Sequence, residues 1–232
     1  MTASPGPPDA PSPSRADRAI DVLSRLLGIA VFGSLGVAVG IGAWRAMAPI
    51  LDGTAPAVKA ADLVSRCADL LFLALLVVLF AIRHRPVRKQ GGVFPRLVAL
   101  LAGMGLPYVV LLPRFEPPVV AWIAALLGVA GNLFALVSLA YLGRSFSIFP
   151  EARRLVTSGP YAIVRHPLYL AEELAIVGMI LNHLHWVSLI AGVVHLSLQI
   201  LRMAWEEKVL QAAYPEYDAY RRRVRRFLPG IW

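Results

Sequence analysis

Long apolar runs alternate along this chain with short segments rich in arginine, and that alternation predicts its architecture. Four runs, at about 26–47, 63–82, 93–112 and 119–141, are each long enough as a helix to cross a hydrocarbon core of ~30 Å. Two more, 168–181 and 186–203, flank Asn182-His183-Leu184-His185 and read as a helical hairpin whose ends return to one face of the membrane. The first arm of the hairpin, about 21 Å long at 1.5 Å per residue, is short for a full crossing. The expected fold is all-α: a polytopic membrane bundle of about six helices, the last two a hairpin, followed by a cytoplasmic C-terminal helix. Residues 1–17, rich in Pro, Ser, Ala and Gly and without apolar periodicity, are expected to be a disordered cytoplasmic tail. Residues 18–232 then form a single membrane domain. The first run is too long, and continues too far, to be the core of a cleaved signal peptide, so it is expected to stay as a span.

Composition agrees. The 232 residues are 58% hydrophobic with a mean hydropathy of +0.65, which leaves no length for a soluble catalytic domain beside the membrane domain. A net charge of +9 would suit a nucleic-acid partner, but the cations lie between the apolar runs, where membrane topology places them. Nineteen Lys and Arg fall to one face and four (Arg45, Lys59, Arg66, Arg114) to the other. This asymmetry predicts cytoplasmic termini, a cytoplasmic loop before residue 167 and residence in a bacterial inner membrane; it argues against nucleic acid as a partner. Cys67, the only cysteine, sits in an apolar run and is expected to be inert packing. The five histidines are scattered without accompanying ligands at metal spacing, so no metal is expected.

Within the runs, Gly36 and Gly40 form a small-xxx-small pair suited to helix packing, and the glycines around them lack the strand that a dinucleotide-binding loop requires. Asp69 and Asn132 are expected to face the interior and hydrogen-bond there.

Chemistry concentrates in Ser158-Gly159-Pro160-Tyr161-Ala162-Ile163-Val164-Arg165-His166-Pro167-Leu168-Tyr169. Pro167 keeps His166 out of the helical region and suits the first helical position, so a helix should begin there with His166 as N-cap. The free N–H groups and positive dipole of that helix end, with Arg165 beside it, make an anion pocket. On the last long helix Ser188, His195, Gln199, Arg202 and Glu206 share one stripe at helical spacing and should point into the bundle towards the same corner. Glu206-Glu207 follows Arg202, either as an i,i+4 ion pair or as carboxylates that hold a cation. Tyr217, Tyr220, Val224 and Phe227 form the apolar edge of a short helix that carries five arginines between 221 and 226.

These parts, taken in order, resemble a known family. Leu155-Val156-Thr157-Ser158-Gly159-Pro160-Tyr161, Arg165-His166-Pro167-Leu168-Tyr169, Arg202 with Glu206-Glu207, and Pro215-Glu216-Tyr217 with Tyr220 are similar to the C-terminal half of the isoprenylcysteine carboxyl methyltransferase and phospholipid methyltransferase superfamily. The resemblance covers about 143–229, which would be the cofactor-binding catalytic part. It implies an integral membrane methyltransferase that uses S-adenosylmethionine without a soluble nucleotide-binding domain. Membrane lipids would surround it, and its acceptor would be a small lipophilic molecule with a carboxylate, thiol, amine or hydroxyl. On that reading Glu206 and Glu207 face the cationic end of the cofactor. Arg165, His166, Pro167 and Leu168 lie near its carboxylate or the substrate anion, and Tyr161 and Tyr169 stack on adenine. Arg202 or Arg165 orients the acceptor. The superfamily commonly has glycine where this chain has Ala171, followed by Glu172-Glu173, a departure that bears on the substrate entrance. The competing expectations are a membrane reductase of the sterol reductase type using NADPH, and a non-catalytic membrane protein.

Overall fold

The computed structural model describes residues 15–53, 57–84, 86–89, 94–104 and 117–229. Its helices are α1 (Arg15–Leu51), α2 (Ala57–Ile82), α3 (Phe94–Met104), α4 (Pro118–Leu142), α5 (Pro167–Asn182), α6 (Trp186–Ala213) and α7 (Tyr217–Arg223). The only sheet among these residues joins two short segments, β1 (Arg88–Lys89) and β2 (Glu151–Ala152), which run antiparallel.

Four helical segments are long and apolar enough to cross a membrane, namely Asp21–Leu51, Asp62–Ile82, Val119–Ser145 and Trp186–Ala213. The chain is therefore an integral membrane protein. Two of the six expected spans do not join them. Only α3, with 11 residues, represents the third run, the rest of which lies outside the described residues. Helix α5 has 16 residues, about 24 Å at 1.5 Å per residue, too short to cross alone. Helix α1 begins at Arg15, and residues 1–14 of the expected tail lie outside the described residues.

Glycine lets α5 settle against α4. A Cβ on Gly131 would come within 2.6 Å of the Ala175 backbone nitrogen and 2.7 Å of the Ala171 oxygen, and one on Gly178 within 2.6 Å of the Ala124 oxygen. Helix backbones this close leave no room for larger side chains. Ala171, which was expected to shape the substrate entrance, instead lies wholly buried in this seam. The core then builds on α2, α4 and α5 through Leu76, Leu79, Phe80, Leu139, Phe146 and Leu168. Asn132 donates to Asp69 across 2.7 Å, which ties α4 to α2 as expected of polar groups at membrane depth. Cys67 differs from expectation: it is exposed on the outside of α2 rather than packed.

The turn between α5 and α6 is set by a capping box. His185 Nδ1 accepts from the Val187 N–H at 3.2 Å, and Ser188 Oγ accepts from the His185 N–H at 3.1 Å. Ser188 thus serves the helix end and leaves the polar stripe to His195, Gln199 and Arg202.

Candidate active site

Pro167 opens α5 where expected, because its fixed φ suits the first helical position and its missing N–H costs nothing there. His166 occupies the N-cap position, yet its side chain makes no capping bond. It turns to α6 instead, with Nε2 3.1 Å from Glu207 Oε1. Glu207 gathers two arginines as well: Arg165 Nε donates at 2.9 Å, and Arg226 donates through Nε at 3.1 Å and Nη2 at 2.6 Å. A buried carboxylate surrounded in this way is compensated, and it locks α6 to the chain on both sides of α5. Glu207, expected to face a cofactor cation, is already occupied.

The chain after α7 completes this corner. Val164 bridges Arg225 in parallel, the Arg165 N–H donates to the Arg225 carbonyl at 2.8 Å, and the His166 N–H donates to the Arg226 carbonyl at 3.1 Å. Tyr217, Tyr220 and Phe227, the apolar edge read from the sequence, are all buried. The Tyr220 hydroxyl donates to the Tyr161 carbonyl at 2.6 Å, and burial pushes the ionisation of both tyrosines well up from the usual phenol range.

Glu206 has a different fate from its neighbour. It accepts from the Tyr169 hydroxyl at 2.8 Å and lines a narrow cleft of about 60 Å³ that opens to the surface. Tyr161, Arg165, His166, Leu168, Tyr169 and Tyr217 line the same cleft, so the structure brings most of the sequence-predicted residues together. Pro167 and Glu207 stand just behind it. The opposite wall comes from residues that the sequence did not single out. Ser147 and Arg153 both donate to Glu151 Oε2, at 3.0 and 2.6 Å, and burial lowers the Arg153 pKa while Glu151 opposes the shift. Two Arg153 nitrogens, Nε and Nη1, and the Tyr217 hydroxyl are buried without a hydrogen-bond partner.

Arg202 makes no ion pair with Glu206. Its Nη1 donates to Gln199 Oε1 at 2.7 Å, its Nη2 donates to the Ile148 carbonyl at 3.1 Å, and its guanidinium lies 4.8 Å from the centre of the Tyr169 ring. Gln199 in turn donates to Glu172 at 2.6 Å, and His195 Nε2 lies 3.2 Å from Glu173 Oε1 without hydrogen-bond alignment. Because Tyr169 also stacks on His166, with ring centres 5.4 Å apart, its ring is engaged and Tyr161 is the better candidate for a planar ligand.

A second cavity lies on the other side of Tyr169, within the membrane bundle. It measures about 320 Å³ and is mostly apolar, with walls from Phe32, Phe72, Leu76 and Ala135. Polar groups enter it at Glu172, Arg202, His195 and the Asp69–Asn132 pair. Ser147, Leu168 and Tyr169 line both spaces.

Comparison with known families matches residues 119–217 to phospholipid methyltransferases, a range that runs from α4 through the two cavities to the start of α7. That segment is similar to the phospholipid methyltransferase family. It is 36% identical over 117 residues to the cobalt-zinc-cadmium resistance protein CzcN of Cupriavidus metallidurans, covering 47% of this chain and 52% of that protein. It is 34% identical over 117 residues to the nickel-cobalt-cadmium resistance protein NccN of Alcaligenes xylosoxydans xylosoxydans, covering 47% and 53%. The chain thus spans about half the length of the curated relatives it matches.

Proposed function

We propose that this membrane protein is a methyltransferase that binds S-adenosylmethionine in the surface cleft and methylates a lipophilic acceptor held in the intramembrane cavity. The observation that carries the reading is the shared wall of Ser147, Leu168 and Tyr169 between a cleft of mixed polarity and a mostly apolar cavity within the helix bundle. The cleft's donor set fits the cofactor. Glu206 is a carboxylate in the cleft with no cation within ion-pair distance among the described residues, a match for a sulfonium or an amino group. Arg153 and Arg154 offer positive charge across from it for a carboxylate. When bound, S-adenosylmethionine supplies a methyl group activated by a positively charged sulfur.

The chain's own work is positioning. Tyr169 holds Glu206 on the cleft side while its ring supports Arg202 on the cavity side. Arg202 and Glu172, fixed by Gln199, present charge to the head of an acceptor whose apolar body lies among Phe32, Phe72 and Leu76. For an acceptor that arrives protonated, Glu172 takes the proton. Rate enhancement then comes from alignment and exclusion of water rather than from a strong base.

We infer that the cleft opens at the cytoplasmic face of a bacterial inner membrane, because Arg144, Arg153, Arg154 and Arg165 cluster at that end of the bundle. A resistance role of the kind named for the relatives would be carried by the methylated product. Among the described residues, no group of three His, Cys, Asp or Glu side chains comes together to hold a metal ion.

Incubation of the purified protein with methyl-labelled S-adenosylmethionine and a membrane lipid extract should place label in the organic phase. Ala135→Trp, which fills the apolar cavity, should abolish that transfer while S-adenosylmethionine still binds. Label that stays in the aqueous phase, or transfer that survives Ala135→Trp, would refute the intramembrane acceptor site.

A further inference from the structure

A third space lies outside the methyl-transfer machinery, where the Asp21–Leu51 span begins and the Asp62–Ile82 and Val119–Ser145 spans end. It is an open cavity of about 630 Å³, bounded by Arg25, Ala81, Ile82, Arg83, His84 and Arg144. The plain reading of these arginines is that they cap α2. Arg25 donates to the Ala81 carbonyl at 3.1 Å and to the Arg83 carbonyl at 2.9 Å, and Arg144 donates to the Ile82 carbonyl at 2.9 Å. Cations satisfy orphan carbonyls at a helix C-terminus and complement its dipole. That accounts for where the arginines are held, but not for the excess of positive charge they bring together.

Among the described residues, Arg25, Arg83, Arg144, Arg153 and Arg154 have two carboxylates within ion-pair distance, and both are shared or taken. Asp21 is bound by Arg25 at 2.9 Å and approached by Arg83 at 3.5 Å, while Glu151 is bound by Arg153 at 2.6 Å. Arg83 is the most informative. It is 2% exposed, its guanidinium lies 4.9 Å from the centre of the Phe80 ring, and Nε and Nη1 have no hydrogen-bond partner. Its Nη2 donates to Ser24 Oγ at 2.5 Å and lies 3.5 Å from Asp21, so the guanidinium is held in place while Nε and Nη1 keep donors to offer. The surrounding groups register the field: the His84 pKa is lowered by burial and by Arg144, Arg154 and Arg153, and that of Arg83 falls to about 10 through burial and Arg153.

We propose that the cavity bounded by Arg25, Arg83, His84 and Arg144 is a second binding site, separate from the methyl-transfer cleft, and that it takes a phosphate group. Arginine forks match phosphate oxygens in geometry as well as charge. The site lies at the level where the spans end, the depth of lipid headgroups, and juxtamembrane cations attract anionic lipids there. A phosphate can arrive there as the headgroup of an anionic phospholipid or as a free anion, and the two sources are separable by experiment.

The test uses the full chain purified in detergent. Native mass spectrometry after incubation with phosphatidylglycerol or phosphatidylcholine reads lipid retention. Thermal unfolding in sodium phosphate, against sodium chloride of equal ionic strength, reads the free anion. The wild type should retain phosphatidylglycerol over phosphatidylcholine by about tenfold, or be stabilised by phosphate beyond chloride, and either effect should fall in both Arg144→Gln and Arg25→Gln. Retained phosphatidylglycerol that phosphate does not displace assigns the headgroup; displacement by phosphate but not by chloride assigns the free anion. Arg144 is exposed, so its substitution leaves the core untouched. No preference for either probe in the wild type, or a preference undiminished in both variants, would overturn the proposal.

Discussion

The Tyr169 hydroxyl donates to Glu206 across 2.8 Å while the Arg202 guanidinium lies 4.8 Å from the centre of the same ring, so one side chain joins the surface cleft to the intramembrane cavity. Tyr169→Phe keeps the ring beneath Arg202 and removes only the bond to Glu206. The protein should lose about 0.5–1.5 kcal/mol of stability at most. Methyl transfer should fall several-fold, because Glu206 is no longer held. Kinetics and thermal melts measured side by side check this, and a loss of stability with unchanged transfer would show that the bond is merely structural.

Glu207 behaves differently. Its carboxylate compensates Arg165 and Arg226 and contacts His166, so Glu207→Ala removes the one carboxylate that these three side chains share. The expected cost is about 3–5 kcal/mol, seen as a large drop in unfolding midpoint, with cofactor affinity lost only as a consequence. A stable Glu207→Ala protein that has lost binding would assign Glu207 to the cofactor instead.

The seam between α4 and α5 is equally specific. Gly131→Ala places a methyl group 2.6 Å from the Ala175 backbone nitrogen, where helix must move against helix. Destabilisation of about 1–3 kcal/mol is expected, together with altered activity, since Tyr169 rides on α5. Gly33→Ala in α1, where a Cβ meets nothing within 4 Å, serves as the control and should be neutral.

Alkaline pH should unfold the protein through its tyrosines. Burial raises the ionisation of Tyr161, Tyr217 and Tyr220 above the ordinary phenol value, so the folded state keeps them neutral where the unfolded chain would ionise. Their contribution is fully present below the unfolded pKa of about 10 and is lost as pH rises towards the folded values. Unfolding midpoints should be level from about pH 8 to about pH 9.5 and fall beyond about pH 10. A midpoint that stays level to about pH 11 would contradict this picture.

Several of these features were legible in the chain and others were not, for physical reasons. Pro167 marks the start of α5 because its ring restricts backbone geometry locally, and the helical period alone turns His195, Gln199 and Arg202 inward. Partner choice is not local. Glu206 and Glu207 are adjacent, but successive helix positions point about 100° apart, so one reaches Tyr169 and the other meets Arg165, His166 and Arg226. Arg226 arrives only because the chain after α7 runs back beside Val164. Glu172 joins Gln199 from another helix, and the wall of Ser147, Glu151 and Arg153 comes from a loop that carries no apolar period. Helix number was hard to read for a related reason: α5 is as apolar as a span but only 16 residues long, and it buries itself on α4.

The measurement that bears most directly on the central claim is calorimetric titration of the detergent-purified protein with S-adenosylmethionine, S-adenosylhomocysteine and NADPH, with Glu206→Gln alongside. Both adenosyl ligands should bind and NADPH should not, and Glu206→Gln, folded as judged by its melt, should weaken S-adenosylmethionine by about tenfold or more. The effect on S-adenosylhomocysteine, which lacks the sulfonium charge, should be smaller. Binding of NADPH alone, or S-adenosylmethionine affinity that Glu206→Gln leaves unchanged, would contradict that claim.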